Sequence, residues 1–346
     1  MVETTQPKQF QMVSLNFIEF SNEQRRQIID AQQAFSVWRP SVLELEAMGT
    51  MRAQVSKGKR YMYEVHGSVR KTLGRETPQL ITRKAAHDAR RAELIRRTKT
   101  IEKRLDQMAP VNRAMGLGRI RSIAARILRA LDREQLLGSH VIVAGTNALH
   151  AYEVATGTVI NQEHVATTDT DLLWDTKQSL LLAATGIRRE GLMGILKRVD
   201  HSFEADYGFN AKNRDGYIVD LLCPETDDLR TMKAGADLAA APMAGAQWLL
   251  SAPQFEQVIV GEDGWPLRIV VPEPRTFALH KLWVSRRDDR NALKRPRDNA
   301  HARVMSELIQ TYLRLPFTAK DMHWLPQELK PLLKELGTRS SKKNTQ

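Results

Sequence analysis

Cysteine is nearly absent from this 346-residue chain. The single one, Cys223, excludes an intrachain disulfide and a Cys-rich zinc site. It ends an apolar run, where a packed small hydrophobe is expected rather than a nucleophile. Long apolar runs are missing as well: no stretch approaches the roughly 20 residues that a membrane span needs, so no membrane partner is expected. The start, MVETTQPKQF, lacks a basic segment followed by an apolar one, so no signal peptide is expected and a cytoplasmic protein is the simplest reading. The nine histidines show no metal-ligand spacing. GLGR at 116–119 has no strand before it, which excludes a dinucleotide fingerprint.

Acidic residues are scarce in one part only. Residues 1–140 hold 26 Lys and Arg against 14 Asp and Glu, and residues 141–346 hold 26 of each. The whole net charge of +12 therefore lies in the N-terminal part. Such asymmetry points to a polyanion, most plausibly RNA or another nucleic acid bound through residues 1–136, against the alternative of a solvated basic face. In KGKRYMYEVHGSVRKTLGRETPQ, Tyr61 and Tyr63 are interleaved with cations, a mixture suited to phosphates and bases or simply to packing.

Residues 20–135 read as helical, with Ser21 as an N-cap, Pro78 in a first helical turn and Gly138 as a helix end. The pattern changes near 140. HVIVAG reads as a short strand running into Gly145 and Thr146, and NALHAYEVAT as a helix. Two hairpins are expected, around NRDG and around GEDG. From 273 the chain reads as helix again, and the tail 337–346 as disordered.

The stretch TTDTDLLWD carries the first chemical signal. Asp169 and Asp171 are two apart in a strand, so both point to one face. Side by side they repel unless a cation lies between them, and with Mg²⁺ they become a catalytic device. Asp220 interrupts the apolar run YIVDLL, where a buried carboxylate is costly unless paired or metal-bound. If that strand lies beside the Asp-Thr-Asp strand, the three carboxylates gather and two ions about 3.5–4 Å apart fit. A glycine ending a strand before a helix frees backbone N–H groups for phosphate, and Thr146 adds a hydroxyl. For each carboxylate alone, a salt bridge is the competing explanation.

AGTNAL, then TDTDLL, then VDLL resembles the polymerase-β-like nucleotidyltransferase superfamily. More closely, TDTDLLWD with PRTFALHKLWVSRR and KRPRDNAHA is similar to an uncharacterised bacterial nucleotidyltransferase-fold family, and more distantly to nucleotidyltransferase toxins of abortive-infection systems. The resemblance covers about residues 140–305. It implies an NTP substrate, ATP being one such nucleotide, and Mg²⁺ or Mn²⁺ as cofactor. It implies that Asp169, Asp171 and Asp220 bind metal and that Asp220 helps deprotonate the acceptor. Gly145 and Thr146 would face the triphosphate, Lys281 would contact nucleotide phosphates, and Asp298 matches a later acidic position. From the residues alone, Lys281 sits one step from a core stripe and snorkelling to solvent is its other role. Thr146 departs from the superfamily's Gly or Ser. The 23 residues between Gly145 and Asp169 exceed the usual spacing, so EVATGTVINQEHVA must loop out or lengthen the helix.

The expected fold class is thus α/β (α+β). A small mixed β-sheet nucleotidyltransferase core, 137–272, is flanked by a basic helical region, 1–136, and a C-terminal helical region, 273–336. The expected function is metal-dependent transfer of a nucleoside monophosphate from an NTP to a hydroxyl or phosphate acceptor. The alternatives are an inactive protein of this fold that binds nucleic acid or regulates, and a metal-dependent nuclease.

Overall fold

The computed structural model describes residues 17–67, 69–176, 191–206, 210–225 and 238–337. In chain order, β1 (Phe17–Glu19) leads into α1 (Asn22–Met48). Ser21 caps α1 reciprocally: Gln24 N–H donates to Ser21 Oγ at 3.2 Å, and Ser21 N–H to Gln24 Oε1 at 2.9 Å. Next come β2 (Thr50–Ser56), β3 (Lys59–His66) and β4 (Val69–Arg75), a three-stranded antiparallel sheet. α2 (Pro78–Ala114) follows, with Thr77 as N-cap and Pro78 in its first turn, as the sequence suggests.

That sheet departs from the helical reading of 20–135. Its turn explains why. Lys57 and Gly58 both have positive φ, 49° and 74°, as a two-residue hairpin of matching twist demands. Lys-Gly is a weaker turn signal than Asn-Gly, and the alternation around Tyr61 and Tyr63 is masked by cations. The end of α3 (Ser122–Arg133) also differs: the helix stops well before Gly138, where Gln135 takes φ 57°.

The central sheet begins with β5 (Val141–Val143), a tight turn at Thr146–Ala148, and α4 (Leu149–Thr156). β6 (Thr158–Ile160) and α5 (Gln162–Val165) fill the long spacing before β7 (Asp169–Trp174). β6 pairs antiparallel with β1, so the insertion builds a small ribbon of its own and leaves Gly145 in place. Then come α6 (Leu192–Val199), β8 (Glu204–Asp206), β9 (Asn210–Lys212), β10 (Ile218–Pro224), β11 (Ala241–Met243) and α7 (Ala246–Ser251). β12 (Gln254–Val260) and β13 (Pro266–Pro272) form a long hairpin. Both expected hairpins are present, β9–β10 around NRDG and β12–β13 around GEDG. α8 (Pro274–Val284), α9 (Arg295–Leu308) and α10 (Leu333–Gly337) complete the described chain. Gly337 closes α10; the rest of the expected tail, 338–346, lies outside the described residues.

The central sheet runs β5-β7-β10-β9-β8, with β11 beside the far end of β10. β7 and β10 are parallel; β5–β7, β9–β10 and β8–β9 are antiparallel. One apolar core unites this sheet with α3, α4, α8, α9 and the long hairpin. α1 and α2 form a separate arm rooted on that hairpin. Trp38 meets Trp265 edge-on at 5.9 Å, Asn112 Nδ2 donates to Gly264 O at 2.7 Å, and Arg39 grips Asp132 with two bonds of 2.6 and 2.8 Å. The described residues contain no helix long and apolar enough to cross a membrane.

Candidate functional site

Strand register builds the site. Ile218 pairs with Asp169 and Asp220 pairs with Asp171 across the parallel β7–β10 edge. In-register neighbours on parallel strands point to the same face about 4.8 Å apart. Asp169, Asp171 and Asp220 therefore share one face, and all three line a cavity of about 410 Å³. Gly145, Thr146, Lys281 and Asp298 line it as well, so all seven residues singled out from the sequence lie around one space.

Several contacts fix this edge. Ala144 N–H donates to Asp171 O at 2.9 Å, tying β5 to β7. Asn147 Nδ2 donates to Asp169 O at 2.8 Å and to Thr170 Oγ1 at 3.1 Å. Thr170 and the Tyr217 hydroxyl are 2.6 Å apart beneath the strand, both buried. Gly145 has φ 62°, and a Cβ there would lie 1.6 Å from Asp171 Oδ2. Only glycine admits both that backbone and that carboxylate.

Electrostatics marks the carboxylates as under-neutralised. Burial, then the charge of Asp169, raises Asp171 to about 6; Asp220 adds to the rise, while Lys281 and Lys294 oppose it. Burial and Asp169 also raise Asp220, against a hydrogen bond from Asn210 and the charge of Lys294. Asp298 differs. Burial pushes its carboxyl up, but Lys281 and Arg290 outweigh that and leave it lowered. Lys281 Nζ sits 2.8 Å from Asp298 Oδ1, and Arg290 Nη2 sits 2.7 Å from Oδ2.

Cations line the same cavity, together with Glu225 and Asp289, the latter paired with Arg287. Arg287, Arg290, Lys294 and Arg297 line it with Lys281. Arg297 Nη2 donates to Thr146 Oγ1 at 3.1 Å, so the Thr146 hydroxyl is held by a cation. Lys294 and Arg297 were not singled out as site residues from the sequence. Lys294, Arg297, Asp298 and His301 are spaced i, i+3, i+4, i+7, one helical face, and that periodicity was the available signal. Asn147 and Asn210, which steady the aspartates, carried none.

The fit to a divalent cation rests on the donors and the backbone. Three carboxylates on one face, two of them raised by burial and then by the charge of Asp169, form a hard-oxygen set lacking positive charge. Their side chains are not gathered: among the described residues no three Asp, Glu, His or Cys side chains are close enough to share an ion. Asp171 is turned onto Gly145, and Asp169 accepts a hydrogen bond from the Thr167 hydroxyl. The in-register backbone leaves their convergence to side-chain rotation.

A protein family described as Nucleotidyltransferase matches residues 122–325, more than half of the chain. The match begins at the first residue of α3 and takes in every residue of the site; the α1–α2 arm lies outside it. Comparison with curated proteins and with solved structures returned no match.

Proposed function

The chain belongs to this nucleotidyltransferase family, and on that premise we propose that it moves a nucleoside monophosphate from an NTP to a hydroxyl or phosphate acceptor, RNA being the favoured class, with Mg²⁺ or Mn²⁺. The acceptor oxygen attacks the α-phosphorus, the bond to the β-phosphate oxygen breaks, and pyrophosphate leaves. Asp169, Asp171 and Asp220 would hold the divalent cation, which supplies polarisation of the phosphoryl oxygens and cancels developing charge.

This chain's own residues do the rest. Lys281, Arg290, Lys294 and Arg297 face the triphosphate in the cavity and orient it, with Asp298 holding Lys281 and Arg290 in place. Gly145 lets the polyphosphate approach the β5 turn, where Thr146 and Arg297 form a donor pair. Asp220, partly exposed and with a raised pKa, accepts the proton of a hydroxyl acceptor. Positioning and electrostatics together lower the barrier.

The observation that carries this reading is the pairing of Asp220 with Asp171 in a cavity also lined by Lys281, Arg290, Lys294 and Arg297. Incubation with α-labelled NTPs, Mg²⁺ and total RNA tests it. Label should enter an acceptor and vanish with Asp171→Ala. Shortened RNA would instead indicate a nuclease, and neither outcome a regulatory protein of this fold.

A further inference from the structure

We infer that the outer face of the β2–β3–β4 sheet, at the tip of the α1–α2 arm, is a docking platform for single-stranded RNA. The inference deepens the reading of RNA as acceptor, yet its geometry is independent of the cleft. α1 lies against the core from Gln24, whose Nε2 donates to Met115 O at 2.8 Å, as far as Arg39, which is bonded to Asp132. Past Arg39, the remaining residues of α1, 40–48, at 1.5 Å each carry the chain about 14 Å further to the sheet. The arm lies outside residues 122–325, so the family match assigns it nothing.

Register sorts the two faces. Arg52 pairs with Tyr63, Gln54 with Tyr61, Tyr61 with Arg75, Tyr63 with Thr72 and Val65 with Arg70. One face therefore carries Arg52, Tyr61, Tyr63, Arg70 and Arg75, together with Gln54 and Thr72. The other carries the buried Met51 and Met62, and packs against the helical arm. On the first face Arg52, Gln54, Arg70, Thr72 and Arg75 are exposed. The Arg70 guanidinium lies 3.4 Å above the centre of the Tyr63 ring. Among the described residues, Arg52, Arg70 and Arg75 have no ion-pair partner.

Charge complementarity selects the occupant. Residues 50–75 contain seven Lys and Arg and one acid, Glu64. Glu64 faces the other side and pairs with His66. Tyr63 is buried under Arg70, so the surface offered is a row of unpaired arginines beside the half-buried Tyr61, which suits phosphate contacts and the flat faces of bases. A duplex hides the faces of its bases, whereas an unpaired strand lets them stack on Tyr61 and on the Arg70 guanidinium that covers Tyr63. RNA rather than DNA follows from the proposed acceptor, and the exposed Gln54 and Thr72 supply polar groups for 2′-hydroxyls.

The test uses the full chain and a fluorescein-labelled RNA of mixed sequence, about 20 nucleotides long, followed by anisotropy over roughly 50–200 mM salt. Arg52→Ala/Arg70→Ala/Arg75→Ala should weaken binding at least about tenfold and flatten the log–log salt slope by about two, since each single-strand phosphate contact contributes about 0.7. Tyr61→Ala should weaken binding about fivefold with the slope unchanged, and Tyr61→Phe should restore it. The Gln triple replaces the Ala triple if circular dichroism shows the latter unfolded. Asp171→Asn should abolish transfer and leave RNA binding unchanged, which separates the failure of this inference from failure of the catalytic reading. Triple-variant binding within about twofold of the parent overturns the platform. So does loss confined to the helix variant Arg96→Ala/Lys99→Ala/Lys103→Ala, and single-stranded DNA bound as tightly as RNA overturns the commitment to RNA.

Discussion

The cleft and the arm tip both gather cations, and these are held in opposite ways. In the cleft, Lys281 and Arg290 clasp Asp298, and Arg297 is bonded to Thr146. At the tip, Arg52, Arg70 and Arg75 stand exposed, tied at most to a tyrosine ring. Charges fixed before a ligand arrives act with little reorganisation, which is what stabilising a transferring phosphoryl group requires. Free side chains pay ordering entropy on binding and are screened by salt, which suits a surface that must capture and release. The charge count saw only the second kind. Residues 141–346 sum to zero because carboxylates balance the cations, although the fold gathers five cations around one cavity.

If the two regions are separate devices, the largest effect belongs to the carboxylate edge. Asp171→Ala should cut label transfer by at least about a hundredfold, several kcal/mol of lost transition-state stabilisation, with RNA binding at the tip intact. Filter assays for transfer and anisotropy for binding check both. A parallel fall in the two would mean that one continuous site spans them.

Asp298→Asn should come next. It leaves Lys281 and Arg290 sharing a neutral partner where the carboxylate side chain is 4% exposed. Removing one member of a buried ion pair costs about 3 kcal/mol, read as a lower midpoint in urea. Arg70→Ala at the tip should cost well under about 1 kcal/mol. Equal losses would erase the distinction between held and free cations. Gly145→Ala follows at about 2 kcal/mol, from strain at φ 62° and the collision with Asp171, and should lower transfer with it. The same urea titration measures the first, and label transfer the second.

The aspartates were legible because period two and an interrupted apolar strand are local signals, and the parallel register of β7 and β10 sets them on one face without gathering their side chains. Both hairpins announced themselves by their turn residues. The tip sheet did not, since Lys57–Gly58 is a poor turn signature and cations overlay the alternation of β3. The cavity's cations were only half legible: Lys281 came from resemblance, while Lys294 and Arg297 needed the helical periodicity of α9 together with knowledge of which face the sheet would meet. Arg297 on Thr146 joins residues 151 apart, and no local pattern encodes such a contact.

The smallest expected effect separates the regions by pH. Two histidines line the cleft, and burial holds both neutral, lowering His280 and His301 to about 4 from an ordinary 6.5. For His280, the hydrogen bond to Ala244 O and Asp298 oppose that shift, while Lys281 and Arg290 assist it. For His301, the bond to His164 O and Asp298 oppose it, while Lys281 and Arg297 assist it. A folded-state pKa below the unfolded one means the unfolded chain takes up the proton first. This contribution to stability is therefore whole above 6.5 and is lost as pH falls toward 4. Asp171, raised to about 6, acts in the opposite sense over part of that window, so the parent's slope alone is not the readout. The difference between the parent and His280→Gln is. The glutamine keeps a donor for Ala244 O and cannot charge, so the variant should gain on the parent by on the order of 1 kcal/mol between about pH 6.5 and 5. RNA binding at the tip rests on arginines, which do not titrate there, and should stay constant over the same range. Urea midpoints and anisotropy at matched pH measure the two, and a pH-independent gap between parent and variant would remove His280 as the source.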